Sequence, residues 1–334
     1  MTPRLQVRDL TVRFRTDDGG VLAVDRMSFD LAPREVLALV GESGCGKSVT
    51  AMSMLRLLPR SAEVSGSVKL DGTELTELSD LAIRGIRGRD MAMIFQDPMT
   101  SLNPSFTVGF QIIEVLRRHG RLSRRAVSER AVELLDLVRI PAPRKRLHEY
   151  PHQLSGGLRQ RVMIAMAVAH SPKVLIADEP TTALDVTIQA QILDILRDLR
   201  EQSGTSILLI THDLGVVADI ADRVEVMYAG HKVETGPVND LFAQPQHPYT
   251  MGLLGAVPRP DLVVHGDPLR LREIPGQVPV LRAVPTSCVF APRCPRSTEV
   301  CLERMPPLEQ TAPRQNAACF HPGTLTEQTE QVQA

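Results

Sequence analysis

One stretch of eight residues has the composition and spacing of a phosphate-binding loop. Residues 41–48 read GESGCGKS, after the apolar run Val36–Val40 and before a helical pattern over Val49–Leu58. Glycines let the backbone curl so that successive N–H groups point inward, and the following helix adds its positive end. Lys47 is then expected to reach the β- and γ-phosphates, and Ser48 to offer its hydroxyl to Mg²⁺. The loop predicts binding of a nucleoside triphosphate.

Two predicted strands end in groups that suit hydrolysis. The apolar run Lys173–Ala177 is followed by Asp178 and Glu179, and the apolar run Ser206–Ile210 leads to His212. In a parallel sheet both strands would end at the same edge as the phosphate loop. Asp178 can bind Mg²⁺, Glu179 can deprotonate a water, and His212 can sense the γ-phosphate. A structural role for the lone histidine is the alternative.

A second glycine-containing loop and one aromatic residue are further candidates. The segment Leu154–Gln160 begins a helix, with Ser155 as its predicted N-cap. Gly156 and Gly157 permit close backbone approach at the positive helix end, which suits an anion, although many helix starts look similar. Phe14 lies upstream of the phosphate loop and is either a core residue or a stacking platform for adenine.

Four cysteines lie in a proline-rich segment, at Cys288, Cys294, Cys301 and Cys319, with the spacing C-x5-C-x6-C-x17-C. Structural disulfides are not expected in an intracellular chain. Zinc and an iron–sulfur cluster both accept four thiolates, and either would stabilise a segment with little core. The absence of C-x2-C pairs favours iron–sulfur, and unligated thiols are the remaining alternative. Cys45 is expected to be only a small residue of the phosphate loop.

Composition excludes several classes of protein. With 38 basic and 39 acidic residues, the chain has a net charge of −1 and lacks the positive charge expected of a nucleic-acid-binding protein. No window approaches about eighteen consecutive apolar residues, and the first residues lack a secretory signal. We therefore expect an intracellular protein that reaches a membrane only through partners.

Together the motifs resemble those of the ATP-binding cassette (ABC) ATPases, over residues 1 to about 245. The resemblance implies an α/β fold with a P-loop NTPase (RecA-like) core, an antiparallel β subdomain and an α-helical signature subdomain over about 97–165. A small irregular cysteine-containing extension over 246–322 and a polar tail over 323–334 are expected to follow.

ATP and Mg²⁺ are the ligands that the resemblance implies. The residues expected to contact ATP are Phe14, Gly41, Ser43, Gly44, Cys45, Gly46, Lys47, Ser48 and Val49. Among these, Phe14 takes the place of the A-loop aromatic. Cys45 stands where serine is more usual, which should be harmless because backbone groups bind the phosphates. Mg²⁺ is expected to bind through Ser48, Gln96 and Asp178.

In this family two cassettes face each other head to tail, and the signature loop of one covers the ATP of the other. The signature residues expected to act on the partner's ATP are Leu154, Ser155, Gly156, Gly157 and Gln160. Asp185 matches the D-loop. Glu179 is implied to activate the hydrolytic water, while His212, as the switch histidine, and Gln96, as the Q-loop glutamine, sense the γ-phosphate.

Further stretches resemble the peptide-importer subfamily. They are DPMTSLNP at 97–104, ADEPTTALDVT at 177–187, HPYT at 247–250 and CVFAPRCP at 288–295. The stretches most resemble the first ATPase subunit of oligopeptide and dipeptide permeases, and they resemble the ATPase subunits of nickel importers almost as closely. In this subfamily the four tail cysteines are associated with a [4Fe-4S] cluster.

The same resemblance implies several partners and a location. They are a second, homologous ATPase subunit in a heterodimer, two transmembrane permease subunits and, indirectly, an extracytoplasmic solute-binding protein. The chain would lie peripherally on the cytoplasmic face of the cell membrane.

Two other functions are weighed against transport. A DNA-repair ATPase of this fold would carry a long coiled-coil insertion, and a ribosomal one would carry two cassettes. A nucleotide-gated scaffold would lack the glutamate that stands at Glu179. The cargo, whether peptide, nickel or another small solute, is not encoded in this chain.

Overall fold

The structure is a computed structural model that describes residues 2–16, 19–97, 101–120, 123–182, 184–256 and 274–323. Some sequence predictions fall outside these ranges. They are the polar tail after Gly323, residues 98–100 of the stretch DPMTSLNP, and Ala183 of the stretch ADEPTTALDVT.

The strands of the described residues form two sheets. They are β1 Leu5–Phe14, β2 Val21–Leu31, β3 Val36–Val40, β4 Ala62–Leu70, β5 Thr73–Glu74, β6 Met91–Ile94, β7 Val174–Asp178, β8 Ser206–Thr211, β9 Arg223–Tyr228, β10 His231–Pro237, β11 Glu309–Ala312 and β12 Gln315–Ala317. The first sheet is antiparallel, in the order β2-β1-β4-β5. The second has the order β11-β12-β10-β9-β3-β8-β7-β6.

Helices connect the strands, and three of them pack on one another. They are α1 Lys47–Met54, α2 Asp80–Ile86, α3 Val108–His119, α4 Arg124–Leu137, α5 Pro143–Arg146, α6 Gly156–Ala167, α7 Val186–Ser203, α8 Leu214–Ile220, α9 Val238–Ala243, α10 Pro248–Gly255 and α11 Glu299–Glu303. Helices α3, α4 and α6, which lie in and next to the range of the predicted helical subdomain, pack together. Within the described residues, no helix has both the length and the apolarity needed to cross a membrane.

The parallel part of the second sheet brings the predicted site residues to one edge. Strands β3, β7 and β8 are buried along their whole length, as expected for strands covered on both faces. In the register of the sheet, Val40 lies opposite Thr211, and Asp178 lies opposite Ile210. The phosphate loop, the carboxylate pair and His212 therefore follow neighbouring strand ends, as the sequence predicts.

Residues after 245 add to this sheet and to its core. Strand β12 pairs with β10, and β11 pairs with β12, so the extension supplies one end of the second sheet. Tyr249 and Phe290 are buried in the same hydrophobic core as β3 and β8. The structure thus adds two strands and a shared core to the irregular extension that the sequence predicts.

Candidate functional site

Backbone geometry holds the phosphate loop against its neighbours. Gly41 has φ +153°, and a Cβ atom there would lie 2.2 Å from the carbonyl oxygen of Met227. Gly46 has φ +106°, and its Cβ would lie 2.4 Å from the carbonyl oxygen of Ala23. Both contacts are with backbone and cannot be relieved by moving a side chain, so these positions require glycine.

Lys47 and Cys45 are buried within this loop. The Lys47 ammonium donates to the carbonyl oxygens of Gly41 at 2.7 Å and Glu42 at 3.0 Å. Burial raises the pKa of the Cys45 thiol, although the charge of Lys47 opposes the shift. Cys45 is therefore a neutral thiol at pH 7, which suits the passive role expected for it.

Asp178 lies beside Ser48 and has an oxygen with no partner. Its side chain is buried at the end of β7 and accepts a hydrogen bond from Ser48, whereas its Oδ1 atom has none. Burial raises the pKa of this carboxyl, opposed by Ser48 and Lys47. A buried carboxylate oxygen without a partner, next to a serine hydroxyl, suits Mg²⁺. Gln96, the third predicted ligand, makes its hydrogen bond elsewhere.

The Glu179 carboxylate is the centre of a cluster of three polar side chains, one of which is Gln96. Glu179 Oε2 accepts from Gln96 Nε2 at 3.3 Å and from the hydroxyl of Thr182 at 2.7 Å. Glu179 Oε1 lies 3.1 Å from His212 Nδ1. The three residues predicted to be catalytic are thus brought into one cluster.

The environment of Glu179 keeps its carboxylate charged. Burial raises its pKa, but hydrogen bonds from Thr182 and His212 outweigh burial, and the pKa lies below its usual value. The Glu179 side chain is 12% exposed, compared with 59% for His212, so the histidine lies on the solvent side. Glu179 also has φ +48°, and its N–H donates to the carbonyl oxygen of Ile210 at 2.8 Å. An ionised, oriented carboxylate has the properties of a general base.

The signature loop, Leu154–Gln160, packs against residues 180–188, which follow β7 in the chain. As predicted, Ser155 caps helix α6, accepting a hydrogen bond from the N–H of Leu158 at 3.4 Å. The buried Gln160 amide donates to the carbonyl oxygen of Pro180 at 2.8 Å. A Cβ atom on Gly157 would lie 2.8 Å from Ile188 Cγ2.

Asp185 and Phe14 occupy defined positions in the fold. Asp185 caps α7, accepting a hydrogen bond from the N–H of Ile188 at 2.9 Å. Ile188 therefore contacts both the D-loop residue and the signature loop. Phe14 ends β1 opposite Val21 and is half-buried against the core of the antiparallel sheet. Its role as an adenine platform stays a prediction.

Sequence reasoning missed a set of contacts between the extension and the phosphate loop. The hydroxyl of Tyr249 accepts a hydrogen bond from the N–H of Glu42 at 2.8 Å, and Arg293 forms an ion pair with the Glu42 carboxylate. A cavity of about 510 Å³ beside the loop is lined on one side by residues 276–281. Tyr249 and Arg293 lie in the stretches HPYT and CVFAPRCP, which the sequence marks without indicating what they contact.

The four predicted metal-binding cysteines line a common cavity. All are free thiols, and the cavity between them has a volume of about 10 Å³. The N–H groups of Arg296 and His321 point at two of the sulfurs: Cys294 Sγ at 3.4 Å and Cys319 Sγ at 3.3 Å. Burial raises the pKa of Cys319 to about 11. Within the described ranges, no group of three or more His, Cys, Asp or Glu side chains is arranged to hold a metal ion.

Comparison with known proteins places this geometry in a family. Residues 24–182 match the ABC transporter family, and residues 233–301 match the C-terminal region of oligopeptide/dipeptide transporters. A Brucella abortus protein whose name assigns it to peptide import as an ATP-binding protein is 53% identical over 313 residues, 93% of each chain. The chain belongs to the ABC transporter family. The oligopeptide transport ATP-binding protein OppD of Salmonella typhimurium is 50% identical over 318 residues, 95% of this ABC chain and 93% of that one.

Solved structures agree with the fold of this ABC ATPase. A dimeric post-hydrolysis structure of the ATP-binding cassette MJ0796, bound to ADP and Pi, is 26% identical with a TM-score of 0.63, and the match covers 70% of this chain and 98% of that one. CbiO1 of Clostridium perfringens, part of the transporter complex cbiONQ, is 27% identical with a TM-score of 0.61 over 73% and 92% of the two chains. The predicted family and fold class are confirmed. These comparisons give no support to the predicted iron–sulfur cluster.

Proposed function

We propose that this chain hydrolyses ATP to drive the import of oligopeptides or dipeptides through a membrane permease. The observation that supports hydrolysis most directly is the Glu179 carboxylate, held by Gln96 and His212 at the sheet edge that also carries the phosphate loop. Support for a peptide cargo comes from the relatives, whose names assign them to peptide import, and from the match over residues 233–301.

Residues at the amino end of α1 bind the nucleotide in this proposal. Lys47 exchanges its hydrogen bonds to loop carbonyls for bonds to the β- and γ-phosphates, and the loop N–H groups bind the remaining phosphate oxygens. Ser48 and Asp178 hold Mg²⁺, which neutralises phosphate charge during hydrolysis. Phe14 stacks on the adenine.

The cluster around Glu179 carries out the hydrolytic step. Glu179 accepts a proton from the attacking water, which it can do because its lowered pKa keeps it ionised at neutral pH. His212 and Gln96 contact different oxygens of this carboxylate. If loss of the γ-phosphate moves the Glu179 carboxylate, both of these contacts change. Gln96 then passes that change to the adjoining residues of the helical subdomain.

A partner cassette completes the site. Ser155 and Gly156 are exposed and lie at the amino end of α6, so they are available to close over a phosphate bound to another chain. MJ0796, which shares this fold, has been solved as a dimer. For this chain we propose a heterodimer with a second ATPase subunit, placed on the cytoplasmic face of the membrane below two permease subunits and fed by a solute-binding protein.

Removal of this gene from its host tests the cargo. We expect uptake of a radiolabelled tripeptide to fall to background and uptake of labelled Ni²⁺ to stay unchanged. A plasmid that carries the wild-type gene should restore peptide uptake, and one that carries Glu179→Gln should not. Loss of Ni²⁺ uptake with normal peptide uptake would contradict peptide import and favour the nickel alternative.

We also propose that Cys288, Cys294, Cys301 and Cys319 bind a [4Fe-4S] cluster, with Zn²⁺ as the alternative. The support is chemical: four thiols line one cavity, two of them accept N–H hydrogen bonds, and either centre binds four thiolates. As the described side chains stand they are not arranged around a metal ion, so binding would have to draw the sulfurs together. The cavity of about 10 Å³ has room for only about one water molecule, so a cluster would have to widen it. When bound, the centre would stabilise the extension.

Anaerobic purification tests this centre. We expect a brown protein with broad absorption at about 400 nm that carries about four iron and four sulfide per chain, since the cluster's thiolate-to-iron transitions absorb there. A variant with Cys294→Ser and Cys319→Ser should be colourless, whereas Cys45→Ser should keep the colour because Cys45 lies in the phosphate loop. A colourless wild-type protein with one zinc per chain would replace the cluster by Zn²⁺, and a metal-free protein would remove the centre altogether.

A further inference from the structure

We propose that Arg293 is a positioning residue for ATP binding, because it holds the phosphate loop through Glu42 and makes ATP affinity depend on the fold of the cysteine-containing extension. The proposal rests on the assignment of residues 41–48 to phosphate binding. It does not require that a metal be bound by the extension.

Glu42 is the point at which the extension holds the loop. Arg293 Nη1 donates to Glu42 Oε2 at 2.7 Å, and Arg293 Nη2 donates to Glu42 Oε1 at 2.9 Å, a bidentate pair. Tyr249, also from the extension, accepts the hydrogen bond of the Glu42 N–H at 2.8 Å. The carbonyl oxygen of Glu42 accepts a hydrogen bond from the Lys47 ammonium at 3.0 Å. Side chain, N–H and carbonyl of Glu42 are thus each fixed, and the carbonyl is fixed by the lysine that is expected to contact phosphate.

Arg293 is buried and makes use of every N–H group that it has. Its Nε atom donates to the carbonyl oxygen of Pro275 at 2.7 Å, and its Nη2 atom also donates to that of Ile274 at 3.1 Å. Its Nη1 atom also lies 3.4 Å from the hydroxyl of Tyr228, whose ring centre is 5.6 Å from the guanidinium carbon. With the two bonds to Glu42, all five guanidinium donors have a partner. Lysine, with three donors and no planar fork, cannot replace this set.

These bonds connect three parts of the chain. Residues 274 and 275 lead directly into 276–281, which line the cavity beside the phosphate loop. Arg293 itself ends a short 3₁₀ helix, Ala291–Arg293, between Cys288 and Cys294, and the N–H of Cys294 donates to the carbonyl of Ala291 at 3.2 Å. A change in the turn between these two cysteines therefore moves the guanidinium, and the guanidinium is bonded to the loop.

The arginine side of this ion pair is buried, and the glutamate side is partly buried. The Arg293 side chain is 5% exposed and the Glu42 side chain 30% exposed. Salt weakens a partly buried ion pair less than an exposed one. The two parallel hydrogen bonds of this pair also fix the orientation of the Glu42 side chain. Since binding energies are coupled reciprocally, a loop that is ordered by Arg293 should in turn order residues 274–294 when ATP binds.

The first test is equilibrium ATP binding by the full chain with Mg²⁺. We expect Arg293→Met to raise the Kd for ATP roughly 5- to 20-fold, Arg293→Lys to raise it less, and Glu42→Gln to raise it by a similar factor to Arg293→Met. If Arg293 acts through Glu42, the variant with both Arg293→Met and Glu42→Gln loses no more than either single variant. Losses that multiply in this double variant would show that Arg293 and Glu42 act independently of each other and would overturn the proposal, as would an unchanged Kd in Arg293→Met.

Arg304→Met is the matched control. Arg304 lies in the same extension, is exposed, and has its guanidinium 5.6 Å from the ring centre of Phe320. We expect this substitution to leave the Kd for ATP unchanged. The variant Lys47→Ala distinguishes a failure of the proposed phosphate site from a failure of the proposed role of Arg293. If Lys47→Ala binds ATP normally, residues 41–48 are not the phosphate site. If it does not bind, while Arg293→Met binds as wild type, only the role of Arg293 fails.

The second test measures hydrogen exchange along the full chain with and without ATP. We expect ATP to slow amide exchange in residues 274–294 of the wild type, and the Arg293→Met variant, saturated with ATP, to lose that protection while keeping protection of residues 41–54. A wild type in which ATP protects the loop and leaves residues 274–294 unaffected would overturn the coupling.

Discussion

The variant Glu179→Gln is expected to bind ATP and fail to hydrolyse it. Glutamine keeps the shape of the side chain and can still contact His212 and Thr182, but it cannot accept a proton from water. We expect turnover to fall at least roughly 100-fold, the usual contribution of a general base, and ATP to hold the two cassettes in a stable dimer. ATPase rates and size-exclusion chromatography of the chain, purified with its partner ATPase subunit, measure both effects.

Glu201→Gln is a suitable control for this experiment. Glu201 is an exposed glutamate near the end of α7, and its neutralisation should leave turnover and dimer lifetime unchanged. Undiminished hydrolysis by Glu179→Gln would remove Glu179 from its catalytic role. A stable dimer of this chain alone, without the second subunit, would contradict the proposed heterodimer.

Lys47→Ala should bind ATP weakly, because the substitution removes the charged donor expected at the β- and γ-phosphates. Hydrogen bonds to charged groups contribute about 3 kcal/mol at most, so we expect the Kd to rise roughly 100-fold. Isothermal titration with ATP and Mg²⁺ gives the Kd directly.

An exposed lysine provides the comparison. Lys69 lies on β4 of the antiparallel sheet, and Lys69→Ala should leave the Kd and the melting temperature unchanged. If Lys47→Ala melts at the wild-type temperature and binds ATP with wild-type affinity, residues 41–48 do not form the proposed phosphate site.

Patterns that act over a few residues made the core of this fold predictable. Strand Val36–Val40 has the predicted bounds, because continuous apolar residues indicate burial without reference to the rest of the chain. Within the predicted helical subdomain, Val108–His119 and Arg124–Leu137 are separate helices, since Ser123 caps the second one. The helix after the phosphate loop ends at Met54 rather than Leu58, followed by Arg56 at φ +52°.

Contacts between distant residues were beyond sequence reasoning. Strand β12 has the sequence QNA and no apolar alternation, and it forms because β10 offers it a row of backbone partners. Glu42 and Arg293 are separated by 251 positions, and neither residue type alone indicates the other. The convergence of Gln96, Glu179 and His212 was predictable in outline, because all three follow strands of one parallel sheet.

The pairing of β12 with β10 bears on how this ATPase can be shortened. Thr235 pairs with Asn316, and the N–H of Ala318 donates to the carbonyl oxygen of Val233 at 2.8 Å. The fully buried Glu234 carboxylate accepts from the N–H groups of Gln246 and His247 at 2.7 and 3.0 Å. A chain cut at the predicted boundary near residue 245 would leave β10 as an open edge strand. It would also leave the buried Glu234 carboxylate without its two N–H donors. Open edges recruit other strands, so the isolated cassette would be prone to self-association and aggregation.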